Sequence, residues 1–204
     1  MDGHNPRRLL RGTGSVTPSV HHSDYRGVHL LDDLSERSVE AIAGQVRGLK
    51  REWDLLVASI HWGGNWGYQV PDEQRRFAHG LIDEAGVDVV HGHSSHHVKG
   101  IEVYRGRPIL YGCGDFFNDY EGIGGYEAFR GDLSLMYFPT LEPAGGRLAA
   151  LRMTPTRVRR FRVNRASEVD MRWLWELLNR EGERFGTRVE ITSDNTLNLH
   201  WGSQ

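Results

Sequence analysis

Two short apolar runs bracket a segment of helical period, and this arrangement constrains the fold more than any other feature of the chain. The first run lies in "DLLVASIHW" and is nearly continuous from Leu55 to Ile60; the second, "VDVV", begins at Val87. A run with so little alternation suits a strand buried on both faces, as in parallel sheets. Between them, "PDEQRRFAHGLIDEAG" reads as a helix. Pro71 fits its first turn, Asp72 and Glu73 complement its dipole, and Gly86 suits its stop. Phe77, Leu81 and Ala85 line one face. Strand, helix and strand in succession predict a parallel pair over residues 54–60 and 87–91, joined by a right-handed crossover.

Both runs end in histidine. "SIHWGGNWGY" places His61 just past the first strand, with Gly63 and Gly64 allowing close backbone approach. "VHGHSSHHVKG" packs His91, His93, His96 and His97, four of eleven histidines, past the second. In open α/β sheets ligands bind at this carboxyl edge. Converging imidazoles suit a divalent transition metal, whereas a two-metal hydrolase also needs carboxylates. His91 is expected to point away from His93, and His97 to cover the loop. Trp66 and Tyr68 either stack on a substrate or close the loop. Asp115 and Asn118 follow a later strand end, where turn chemistry accounts for them as well as site lining does. Cys113, between two glycines, reads as a small buried residue.

Residues 1–27 show no periodicity and read as a poorly ordered leader. From Ser35, a plausible N-cap, Val39, Ile42, Ala43, Val46 and Leu49 share a helical face. "IEVY", "PILYGCG" and "LSLMYFPTLE" read as strands, "EPAGG" as a hairpin turn into "RLAALRMTPTRVRRFRV", residues 167–185 as a helix, and "RVEITSDNTLNLHW" as a closing hairpin. Together these predict a mixed sheet, or two stacked sheets, flanked by helices. In "RVRRFRVNR" basic and apolar residues alternate, as in a strand with one solvated face; a polyanion-binding stripe is the other reading. Lys and Arg total 25 against 27 Asp and Glu, which gives no electrostatic case for nucleic acid or an anionic membrane surface. The single cysteine excludes an intrachain disulfide. With no apolar run near ~20 residues and no signal-like segment, a cytoplasmic protein without a membrane span is expected.

"VASIHWGGNW" and "LIDEAGVDVVHGHSSHHVKGIEVYRGRPILYGCGDF" together resemble the second half of the bacterial CapA family of the poly-γ-glutamate synthesis type. That family shows a strand ending in His-Trp-Gly, met by His61, Trp62 and Gly63. It shows a Gly-His-x-x-His segment, met by Gly92, His93 and His96. It shows a Tyr-x-x-Gly-Asn-Phe segment, where Asp115 replaces the asparagine. The likeness runs from about residue 28 to about 163 and on toward the end. It implies an α/β fold, the metallophosphatase-like α/β/β/α sandwich, truncated on its N-terminal side, with residues 28–204 as the C-terminal part. It implies His61, His93 and His96 as metal ligands, with Trp62, Asn65, His91, Asp115 and Asn118 lining the site. The implied cofactor is a divalent metal, Mn, Zn or Fe, with two ions in a full-length member. The implied partner is a polyanionic polymer or a phosphoester. The carboxylates and catalytic imidazole of the family's first half have no counterpart at a strand end here. Asp2 and His4 offer metal-like spacing, but no strand precedes them. Two readings follow: a metal-dependent hydrolase architecture, incomplete in this chain, or a non-catalytic accessory of polymer synthesis.

Overall fold

The computed structural model describes residues 29–51, 54–118 and 123–202. The leader over residues 1–27, with Asp2 and His4, lies outside the described residues. The chain divides into two units at Leu31/Asp32, and every element named here belongs to the second. In chain order these are α1 (Glu36–Arg47), β1 (Val57–His61), α2 (Asp72–Ala85), β2 (Val89–His93), β3 (Ile101–Tyr104), β4 (Arg107–Leu110), β5 (Leu133–Leu141), β6 (Leu148–Val158), β7 (Val163–Arg165), α3 (Glu168–Gly182), β8 (Thr187–Ile191) and β9 (Leu197–Trp201). The fold is α/β with two sheets. The first runs β1-β2-β4-β3; the second runs β5-β6-β9-β8, with β7 paired to β6.

The expected strand–helix–strand unit is present. β1 and β2 pair in parallel, from Val57 opposite Val89 to His61 opposite His93. β1 ends one residue and β2 three residues beyond their apolar runs, so His61 and His93 are terminal strand residues in register. Helix α2 begins after Pro71 and stops at Gly86, whose left-handed φ of 66° lets its N–H reach the Leu81 carbonyl. Asp88 anchors the start of the pair. Its buried carboxylate accepts from Lys50 at 2.7 Å and from the Leu56 amide at 2.9 Å.

Residues paired across strands share a face, and so do residues two apart within a strand. Through the pairs His91–Leu110 and Leu110–Ile101, this puts Ser59, His61, His91, His93, Leu110, Ile101 and Val103 on one face of the first sheet. Under β3 and β4 that face is core. Ile101, Val103 and Leu110 pack with Leu133 and Met153 of the second sheet and with Leu174 and Leu177 of α3. Under β1 the same face is open. Val57, Ser59 and His61 are all exposed, Val57 at 56%. The expectation of a strand buried on both faces is therefore corrected. Among the described residues β1 pairs with β2 alone, and no residue of β1 joins the core cluster formed with the second sheet.

The opposite face of the first sheet carries Glu102, which is 0% exposed. It accepts from Arg75 Nη2 at 2.9 Å, from His79 Nε2 at 3.0 Å and from the Tyr111 hydroxyl at 2.6 Å, tying α2 to β3. Burial pushes this carboxyl up, but the hydrogen bonds from His79, Arg75 and Tyr111 outweigh it and hold the pKa at about 2. Being depressed from the ordinary 4.5, it contributes stability that is fully present above that value and is lost as pH falls through 2. At ~1.4 kcal/mol per pH unit the contribution is on the order of 3 kcal/mol. Replacing Glu102→Gln is expected to lower Tm at pH 7 by about 6–12 °C, with the gap to the parent closing as melts are repeated toward pH 2.

Candidate functional site

The site is built on the paired ends of β1 and β2. The imidazoles of His61 and His93 meet edge to face with centroids 5.2 Å apart, on the uncovered face of the sheet. Trp62, the next residue, turns back beneath them. Its amide extends the pairing to the His93 carbonyl at 3.0 Å. Its indole N–H donates to the Tyr111 carbonyl at 3.1 Å, and its ring stacks on Tyr111 at 5.9 Å. To get there the indole crosses β2 at Gly92. A Cβ at Gly92 would collide with Trp62 Nε1 and come within 2.7 and 2.8 Å of the Leu110 and Tyr111 carbonyls. The Trp after His61 and the Gly before His93 are thus one packing device that fixes the two histidine-bearing ends together.

His91 departs from its expected place. It lies 5.6 Å from His93 between ring centroids, and its Nδ1 is 3.0 Å from Ser59 Oγ. The reason is the strand period. Positions 91 and 93 are two apart and share a face. Burial keeps the His91 imidazole below its ordinary pKa. His93 is lowered by burial first and then by the neighbouring His91 and His61. Both therefore favour the neutral form, which offers a ring lone pair to an electrophile.

His96 lies on the loop that follows β2. Its amide donates to the Asn65 carbonyl at 3.0 Å, so Asn65 contributes backbone to the junction of the two loops. Ser94, at a left-handed φ of 116°, adds a hydroxyl contact to the Gly63 carbonyl at 3.2 Å. His96 Nδ1 lies 2.8 Å from Asp115 Oδ2. A carboxylate oxygen accepts, so in this pair the ring donates from Nδ1. A carboxylate behind an imidazole is the usual way a metal-binding histidine is oriented. Trp66 flanks His96 at 5.4 Å and stacks on Tyr126 at 4.2 Å. His97, wholly buried, sits among Trp66, Tyr68 and Phe129. Asn118 is half-buried three residues beyond Asp115. Cys113 is buried as expected, and burial pushes its thiol up to about 12, which makes it inert.

The His61–His93 spacing suits two imidazoles sharing one ion at about 2.1 Å from each nitrogen. The set stops there. Among the described residues no group of three or more His, Cys, Asp or Glu side chains is arranged to hold a metal. A two-metal centre therefore does not fit the described residues by themselves. Ser59 was missed from sequence; its signal is its position two residues before His61, on the same face.

A model of the bacterial capsule synthesis protein family, PGA_cap, matches residues 12–120, a span that holds both histidine-bearing strand ends and the Asp115 turn. The chain belongs to this family. It is 47% identical over 203 residues to a probable polyglutamine synthesis accessory protein of Mycobacterium tuberculosis, covering 97% of this chain and 53% of the relative. It is 39% identical over 70 residues to the PGA biosynthesis protein CapA of Bacillus subtilis, 34% of this chain and 18% of that one. It is 33% identical over 66 residues to the capsule biosynthesis protein CapA of Bacillus anthracis, 32% and 16% respectively. The chain thus spans about half the length of the Mycobacterium relative. Among the described residues no helix is long and apolar enough to cross a membrane.

Proposed function

We propose that this segment is the imidazole-bearing half of a metal-dependent hydrolase site in a protein of polyglutamate capsule synthesis. The observation that carries the reading is the in-register pair His61 and His93 on the open part of the sheet. A divalent ion, Mn, Zn or Fe, would find the ring nitrogens of His61 and His93 there, with His91 and Ser59 alongside. His96, oriented by Asp115, stands at the neighbouring loop as a further donor. The carboxylates that a two-metal hydrolase requires would come from residues outside the described ones. The relatives' names, in polyglutamine, PGA and capsule synthesis, support a phosphoester or a polyglutamate amide as the bond acted on.

Titration calorimetry with manganese or zinc tests the first step. The 204-residue chain is expected to bind one ion weakly, with protons released on binding below neutral pH. The double change His61→Ala and His93→Ala is expected to abolish the heat, and His96→Ala alone to weaken binding by about 10-fold. Undiminished binding by the double variant would remove the site assignment.

A further inference from the structure

A cluster of arginines lies at the β6–β7 hairpin, far along the sequence from the histidines. Arg159 and Arg162 close a two-residue turn through reciprocal backbone bonds of 2.9 and 3.2 Å. The two turn residues, Arg160 and Phe161, both have φ of 55°, a left-handed conformation normally left to Gly, Asn or Asp. Asn164 clamps the turn from inside, its Nδ2 donating to the carbonyls of Arg162 at 2.8 Å and Arg159 at 3.2 Å. The tip is therefore held in one shape. Beside it is a groove of about 620 Å³ walled by Arg157, Arg159, Arg160, Arg162 and Arg165, with Asp170 the one carboxylate among its lining residues.

Asp170 is already neutralised, since Arg130 Nη2 and Arg157 Nη1 reach its two oxygens at 2.6 and 3.1 Å. Arg165 donates to the Asp194 carbonyl at 3.0 Å. Arg159, Arg160 and Arg162 are exposed and make no ion pair with any described residue. Like charges gathered on a rigid tip repel and return nothing to stability. An anion bound there would relieve that repulsion.

We infer that this hairpin binds a polycarboxylate chain, with the guanidinium forks of Arg159, Arg160 and Arg162 gripping successive carboxylates. The inference rests on the polyglutamate reading above for the identity of the polymer and adds the surface that holds it. Planar forks match carboxylates two bonds at a time. A nucleic acid strand is disfavoured. It would stack successive bases on several aromatic faces, whereas the groove's lining contains no aromatic residue and the hairpin offers one exposed ring, Phe161. The chain's formal net charge of -2 also gives a polyanion no general attraction away from this patch.

The test is fluorescence anisotropy with labelled γ-linked polyglutamate and the 204-residue chain at low ionic strength. The triple variant Arg159→Ser, Arg160→Ser, Arg162→Ser is expected to bind about 10-fold or more weakly. A control with the same charge loss, Arg37→Ser, Arg47→Ser, Arg76→Ser, all exposed on α1 and α2, is expected to stay within about twofold. The triple Arg→Lys variant at the hairpin keeps the charge and is still expected to weaken binding, because the fork is lost. Equal losses in hairpin and control variants, parental binding by the Lys variant, or no binding by the parent would each overturn the inference. So would a single-stranded oligonucleotide of equal charge binding as tightly. Manganese binding is measured on the same samples. Its persistence while the polymer result fails would sink this inference and leave the hydrolase reading standing.

Discussion

Loaded with manganese and assayed alone on a generic phosphodiester, the 204-residue chain is expected to show no metal-dependent turnover. A relative of full length in the same assay is expected to show it, and to lose it when the residues equivalent to His61 and His93 are changed to alanine. Two-metal hydrolysis holds its ions ~3.5–4 Å apart, usually across a bridging carboxylate. The described residues bring together imidazoles and a serine hydroxyl, and Asp115 is engaged with His96. A missing general acid commonly costs ~10²–10⁴-fold by itself. The expected difference between short and long forms is at least that large. Robust turnover by the short chain, lost on changing His61 and His93 together, would show that these residues suffice and would overturn the proposal of an incomplete site.

The open face of β1 gives this expectation its geometry. Where the first sheet is covered, its inward residues are Ile101, Val103 and Leu110. Where it is bare, they are Val57, Ser59 and His61. The part that packs on the second sheet presents apolar residues alone, and the part that does not adds the polar Ser59 and His61 to Val57. Any group that completes the site must approach from that open side, next to an edge strand whose second row of backbone partners is free among the described residues.

The crossover unit was legible because its signals are local: apolar runs of strand length, a proline at one helix end and a glycine at the other. The burial of β1 was not, because "LLVASI" reads the same at a sheet centre and at an edge; only the position of the second sheet decides it. The pairing of His61 with His93 followed from both lying at strand ends. The orientation of His91 was equally available, since the two-residue period puts it with His93, yet it was assigned to the wrong face. Other features lay beyond local pattern. The His96–Asp115 contact joins loops nineteen positions apart, and Glu102 appears in "IEVY" only as a lone acid in an apolar strand. Its partners come from a helix more than twenty residues earlier.

The Trp62–Gly92 crossing leads to the second large effect. Gly92→Ala is expected to destabilise the chain by about 3 kcal/mol or more, because two of the colliding atoms are backbone carbonyls that cannot rotate away. For a domain of this size that is a drop in Tm of about 6–12 °C. The effect should also reach the site. Displacing the indole breaks its bond to the Tyr111 carbonyl and loosens the register that sets His61 beside His93, so manganese binding should weaken even at temperatures where the variant is fully folded. Gly64→Ala is the control. It lies in the loop that follows β1, has no left-handed φ, and a Cβ there meets only the Trp66 carbonyl at an ordinary 3.7 Å. That variant is expected to melt within about 1 kcal/mol of the parent and to bind metal normally. If the two substitutions cost the same, Gly92 is an ordinary strand glycine and the indole is not what holds the histidine-bearing ends together. If Gly92→Ala lowers Tm but leaves metal affinity untouched, the crossing serves the fold alone and the link from Trp62 to the site is lost.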